Sequence, residues 1–219
     1  MKQQTVLLTG FEPFNNESIN PAWEAVKALD GWQEPGFCVQ VRQLPCVFGL
    51  ANTVMSETVA ALNPAIVIAV GQAGGRCDIS LERVAINIDD APIPDNRQQQ
   101  LTDQPVVAGG PAAYFATLPV KAIVQQLRAA GLPASVSQSA GTFVCNHVFY
   151  GLMHLAAQRA PTSTLRAGFI HIPFLPQQAA SRSGAPSMAA EQVIEGLRIA
   201  VRTTLSVVTD VVVREGALH

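Results

Sequence analysis

Residues 65–70 read AIVIAV, an unbroken apolar run dominated by β-branched side chains. Successive side chains of a strand point to opposite faces. A strand that is apolar at every position is therefore buried on both faces, the situation of a parallel sheet covered by helices on each side. The rest of the chain has segments to build that cover. Strands are predicted over 6–9, 37–44, 81–88, 134–139 and 168–172, with 37–44 alternating at period two and reading as half-exposed. Helices are predicted over 47–62, ending before Pro64, over 119–130, closing at Gly131, from Cys145 onward, and over 187–205. Pro21 suits the first turn of a further helix through Trp23, Val26 and Leu29, with Asn20 as N-cap and Gly31 past its end. Alternating strands and helices define an α/β fold: a single-domain, twisted, mostly parallel sheet over residues 1–219, with helices on both faces. Residues 89–119, rich in Pro, Gly, Gln and Asp, are expected to be irregular, as functional or mobile loops of that length are. Residues 209–219 read as a tail.

Composition narrows the function classes. The chain has 219 residues, 48% hydrophobic and 14% charged, which is enough for a substantial globular core. A net charge of −2 leaves no electrostatic footprint for nucleic acid or an anionic membrane. The low surface charge favours an oligomer. No stretch approaches the roughly 18 uninterrupted apolar residues of a membrane span. The start, MKQQTVLLTGFEPF, lacks the length and the cleavage site of a signal peptide and reads as the first strand, so the expected location is the cytoplasm. Cys38, Cys46, Cys77 and Cys145 show no CxxC spacing, which argues against zinc and for free thiols. The first three are expected to be ordinary structural thiols.

In open α/β sheets, ligands bind beyond the carboxyl ends of the strands. That rule selects the loops after Thr9, Val70, Ser139 and Ile172. The third leads into SAGTFVCNHVFYGLMHLAAQ, residues 139–158, with Cys145 where loop turns into helix. A thiol there feels the positive end of the helix dipole, which favours the nucleophilic thiolate. The alternative is a small buried hydrophobe. A nucleophile needs a base. His219 is terminal. His154 lies about 13 Å along the helix from Cys145, and His147 points about 200° away from it. His171 ends a buried strand next to Pro173, on the side where ligands are expected, although a histidine in an apolar strand is commonly a satisfied core residue. The imidazole in turn needs an acceptor to fix its tautomer. Glu82, in ISLERVAIN, is a candidate whose ordinary place is a solvated face. Asp78, Asp89, Asp90 and Asp95 compete with it, and spacing does not choose among them. Gly71, Gly74 and Gly75 could cradle a phosphate, but neither GxxxxGK[ST] nor a full GxGxxG is present. Phe11 and Phe14 either fold back as core or form an apolar wall for a small flat ligand.

The segments TGFEPFNNESINPAWEAV, VGQAGGR, ERVAIN, DDAPIPDN, GGPAAYFATLP, SAGTFVCNHVFYGLM and FIHIPFLPQQ follow one another from the first strand to about residue 178. This ordered set resembles the pyroglutamyl peptidase I (pyrrolidone-carboxylate peptidase) family of cysteine peptidases. The resemblance implies removal of N-terminal pyroglutamyl residues from peptides. It implies Cys145 as nucleophile, His171 as general base and Glu82 as the group orienting the histidine. It also implies a substrate pocket at Phe11, Phe14, Asn20, Gln72 and Phe143, no metal or cofactor, and a cytoplasmic homotetramer. A pyroglutamyl residue is an uncharged lactam, so its pocket needs an apolar slot with one donor and one acceptor rather than a carboxylate. One departure stands out: the family commonly has Arg where DDAPIPDN has Pro92. The following RQQQLTDQPVVAGGP also departs from the usual short turn. Two rival readings remain at this level. One is a phosphate-binding transferase of nucleoside-phosphorylase type at Gly71 to Gly75. The other is a catalytically impaired pyroglutamyl-binding homologue, with Pro92 as its defect.

Overall fold

In the computed structural model, which describes residues 3–159 and 165–216, the AIVIAV run lies in β4 (Ile66–Gln72) at the centre of a seven-stranded sheet. Its side chains go to two separate cores: Ile66, Ile68 and Val70 to one, Val67 and Ala69 to the other. The first core is covered by α1 (Pro21–Lys27), α3 (Val120–Ala129) and α6 (Ala190–Ser206). The second is covered by α2 (Leu50–Leu62) and α4 (Val144–Arg159). Helices on both faces follow from a strand with no polar side. No described helix is long and apolar enough to cross a membrane.

The strands run in the order β2 (Gln33–Glu34), β3 (Phe37–Leu44), β1 (Gln4–Phe11), β4, β9 (Arg166–Ile172), β5 (Ile79–Glu82) and β8 (Ala134–Ser137). The four central strands from β3 to β9 are parallel. β5 is antiparallel to β9, β8 is parallel to β5, and β2 is antiparallel to β3. The sheet is thus mostly parallel with reversed flanks. That reversal corrects the loop rule for one segment. The carboxyl ends of β1, β4 and β9 share an edge, but β8 runs the other way. Its last residue, Ser137, pairs with Glu82, which also pairs with Phe169 in the middle of β9. The chain therefore leaves β8 at mid-sheet, and residues 138–143 carry it to the start of α4.

Several boundaries move for identifiable reasons. The segment 81–88 is not one strand. β5 ends at Glu82, and β6 (Val84–Ile86) pairs with β7 (Ala113–Phe115) in a separate two-stranded sheet. Between them, Arg83 donates its N–H to Ser137 O and accepts from Ala116 N. Asn146 of α4 secures β6 by accepting from Ile86 N and donating to the carbonyls of Ile86 and Ile88. β7 and an Asp89–Gln104 bridge also give order to the stretch expected to be irregular. The helix expected from residue 47 starts at Leu50, because Gly49 before it takes a φ of 71°, outside the helical range, with Phe48 N held by Asp95 Oδ2 and Gly49 N by His147 Nε2. Asn20 caps α1 as expected, accepting from Ala22 N at 3.0 Å. His219 falls outside the described residues.

The tail after α6 docks along α3. Pro119 at the N-cap of α3 has no side-chain oxygen to offer. Asp210 supplies one instead, accepting from Lys121 N at 3.0 Å and Ala122 N at 2.9 Å. Lys121 Nζ donates to Val213 O, and Arg128 pairs with Glu215. Replacing Asp210 with Ala removes the cap and lowers stability by about 1 kcal/mol, with Asn retaining most of it, as read from urea unfolding midpoints.

Candidate active site

Strand pairing alone sets two of the site residues. In the antiparallel register, Ser80 stands opposite His171 and Glu82 opposite Phe169. Leu81 and Ile170 point into the first core, so Glu82 and His171 both point to the other face, beneath α4. There His171 Nδ1 meets Glu82 Oε1 at 2.7 Å. Glu82 is wholly buried, contrary to the ordinary place of a glutamate. Its second partner is Arg76, whose Nη1 donates to the same Oε1 at 2.7 Å. Because Nδ1 of His171 donates to the carboxylate, Nε2 is left with a free lone pair.

Cys145 is the second residue of α4, at its N-terminal turn. Its thiol lies over Gly71 of β4. A Cβ at Gly71 would stand 2.9 Å from Cys145 Sγ and 2.8 Å from the Phe169 ring. Gly71 in turn pairs with His171 in the β4–β9 register. The missing side chain on β4 is what admits the thiol to the strand next to the imidazole.

The electrostatics correct one expectation. The helix start favours a thiolate, but burial dominates. Burial pushes the Cys145 thiol up to about 12, with the Glu82 charge adding to the rise and Arg76 opposing it. Burial also pushes His171 below its ordinary value, against the opposing pull of its bond to Glu82. Burial thus favours the uncharged thiol and the uncharged imidazole, from which the thiol hands over its proton as it reacts.

The other candidates divide into lining and support. Phe14 and Phe143 are half-buried and face each other with ring centroids 6.1 Å apart. Phe48 packs edge-on against Phe143 at 5.5 Å. Phe11 is only 2% exposed and packs on Phe169, so it supports from behind rather than forming an open wall. Asn20 is buried as well, its amide shared between the α1 cap and Glu12 O. Gln72 is half-buried and accepts from Gln178 Nε2 at 3.2 Å.

Three of the four rival carboxylates are engaged elsewhere, and the fourth residue, Asp90, is held by its backbone. Asp78 accepts from Ser80 Oγ, Asp95 from Phe48 N, Arg97 N and Gln99 N, and the Asp90 backbone ties to Thr142. Asp89 takes His147 Nδ1 at 2.8 Å. His147 Nε2 accepts from Gly49 N, so His147 is a satisfied brace of the α4 start. His154 bonds Tyr114 Oη and Gln158 Nε2. The two glycines after β4 have separate structural uses: a Cβ at Gly74 would strike the Phe174 ring at 2.2 Å, and Gly75 takes a positive φ of 92° in the turn. Pro92 is exposed, and the cation in contact with Glu82 is Arg76. Arg76, Phe48 and Gln178 escaped residue-by-residue reading, and Gly71 was read as a phosphate cradle rather than as the seat of the thiol. Gly71, Arg76 and Gln178 lay inside the quoted GQAGGR and FLPQQ runs, but their contacts are set by distant strands.

The fold and this cluster define a mixed-sheet α/β protein with a half-buried cysteine beside a buried histidine–glutamate pair. The sequence model of the pyroglutamyl peptidase family matches residues 4–207. The chain belongs to that family. It is 62% identical over 216 residues to the pyrrolidone-carboxylate peptidase of Cupriavidus necator, covering 99% of this chain and 100% of that protein. The corresponding protein of Escherichia fergusonii is 58% identical over 216 residues, 99% of this chain and 100% of its own length. Pyroglutamyl peptidase I from Bacillus amyloliquefaciens superposes with a TM-score of 0.94 at 45% identity, covering 97% of this chain and 100% of that one. Pyrrolidone carboxyl peptidase from the hyperthermophile Pyrococcus furiosus gives 0.88 at 42% identity, over 92% of this chain and 98% of that one.

Gly71→Ala is expected to destabilise the protein by about 1–3 kcal/mol through overpacking. In a Cys145→Ala background the penalty shrinks, because one of the two close contacts is gone. A double-mutant cycle on urea unfolding reads that coupling.

Proposed function

We propose that this chain is a single-domain cysteine exopeptidase that removes N-terminal pyroglutamyl residues from peptides through a thioester acyl-enzyme. The observation that carries the reading is the 2.7 Å contact of His171 Nδ1 with buried Glu82, beside a thiol seated over Gly71 on the neighbouring strand. Glu82 orients the ring and stabilises the imidazolium that forms. His171 Nε2 takes the proton of Cys145 as Sγ attacks the pyroglutamyl carbonyl carbon. The backbone N–H of Cys145, in the first turn of α4, has no intrahelical partner and is available to the oxyanion. As the tetrahedral species collapses, the C–N bond breaks and His171 gives its proton to the leaving amine. Water then adds to the thioester, its proton passing to His171, and release of pyroglutamate returns that proton to sulfur.

The pocket assignment follows the chemistry of a neutral lactam. Phe14 and Phe143 are its apolar slot, and Gln72 supplies a polar contact. Phe11 and Asn20 act from behind, holding the loop that carries Phe14. A site that hydrogen-bonds the lactam discriminates strongly against proline, which lacks the ring carbonyl and would leave buried polar groups unpaired. The reaction as written needs no metal or cofactor. Sequence resemblance and charge support a cytoplasmic homotetramer that acts on peptides and not on nucleic acid or membranes.

Release of a chromophore from a pyroglutamyl amide, with and without iodoacetamide, tests this reading. Release that stops on alkylation is expected, and Cys145→Ser or Cys145→Ala should lower kcat roughly 10^4-fold or more with the fold intact. Release that survives alkylation and requires phosphate would favour the transferase. Binding of the amide without release would favour the impaired homologue. The pH profile is a separate check. His171 is active as the neutral base, and burial holds its titration below the ordinary 6.5. Neutral imidazole therefore persists to lower pH, and the acid limb of kcat/KM is expected below pH 6.5. A limb above that value would contradict the uncharged pair that burial favours.

A further inference from the structure

Arg76 follows the glycine turn after β4, and its side chain remains 31% exposed while that of Glu82 is wholly buried. Its Nη1 shares Glu82 Oε1 with His171 Nδ1, each at 2.7 Å. Its Nη2 donates to Ser139 O at 3.1 Å, in the loop that leads into Cys145. Oε2 of Glu82 is buried and has no hydrogen-bond partner among the described residues. One guanidinium thus holds the carboxylate oxygen that faces the imidazole and ties it to the loop of the nucleophile.

We propose that Arg76 is a positioning residue that locks Glu82 Oε1 against His171 and ties both to the loop of Cys145, and that its fixed charge adds to burial in keeping the reaction active at lower pH. The proposal rests on the peptidase reading for its role in turnover. Two functions meet in one residue. The planar fork is suited to hold two acceptors at once, which a lysine ammonium on a flexible stem does less well. The fixed charge acts against a second proton on the Cys145–His171 pair, because guanidinium and imidazolium would share one oxygen. The charged and titratable groups around the pair are Glu82 from β5, Arg76 from the β4–β5 loop, and the Cys46 thiol, which interacts with Cys145. Asp78, near Arg76 in sequence, accepts from Ser80 Oγ. The Arg76 charge pushes both the His171 imidazolium and the Cys145 thiol toward losing their protons.

Wild type, Arg76→Gln and Arg76→Lys are compared in two pH series. One is kcat/KM on the pyroglutamyl amide. The other is the rate of iodoacetamide labelling at Cys145, followed by peptide mass spectrometry, and needs no peptidase activity. In Arg76→Gln the acid limb of both series moves up by roughly one pH unit, and plateau kcat/KM falls roughly 10- to 100-fold. In Arg76→Lys the limb stays at the wild-type position, because the charge remains, while the plateau is only partly restored. A limb in Arg76→Gln that coincides with wild type or moves down overturns the proposal. So does an equal upward shift in Arg76→Lys, or full plateau activity in that variant. Should Arg76→Gln fail to fold, those two Lys outcomes decide. If wild type releases no chromophore, the peptidase reading falls, and the labelling series still decides the role of Arg76.

Discussion

A carboxylate taken out of water carries a desolvation penalty of several kcal/mol unless cations and hydrogen bonds surround it. Glu82 is such a carboxylate, with no exposed surface and both its partners, His171 and Arg76, on a single oxygen. Removing either partner would leave the charge less compensated in a low-dielectric setting. The geometry of the site is therefore coupled: the imidazole is aimed by Glu82, Glu82 is held by Arg76, and Arg76 reaches the loop that delivers Cys145. The same burial favours the uncharged forms of the thiol and the imidazole.

The reversed flank of the sheet makes this arrangement possible. Were β5 parallel to β9, Glu82 at its carboxyl end would lie toward the edge shared by β1, β4 and β9. Running antiparallel, β5 sets Glu82 level with Phe169, one diagonal step from His171. β8 then ends at the same level and releases the chain toward α4. Gly71 completes the assembly by leaving a gap above β4 for the thiol. The walls around it are braced from outside. Asp95 and His147 hold Phe48 and Gly49, and Asp89 holds His147.

Much of the framework was legible in the chain itself. The ends of β3 were readable because its side chains alternate between burial and exposure. The start of α1 was readable because Asn20 and Pro21 are local capping chemistry. β4 was readable because a strand without polar residues has one environment open to it. Cys145 and His171 drew attention from local position, but choosing Glu82 over four aspartates required the family resemblance. The α2 start, the break at Arg83 and the pairing of β6 with β7 were illegible for a common reason. Each is decided by partners far along the chain, as with Phe48 and Asp95 at 47 residues or Gly49 and His147 at 98.

By itself, the sequence determined the α/β class, the doubly covered central strand, the local helix cap and the family-specific run of motifs. These depend on periodicity and on contacts within a few residues. Only the tertiary structure decided the direction of β5 and β8, the burial of Glu82, its shared oxygen, and the seat of the thiol over Gly71. Those depend on strand register and on desolvation, which exist only once residues dozens of positions apart have been brought to the same depth in the same core.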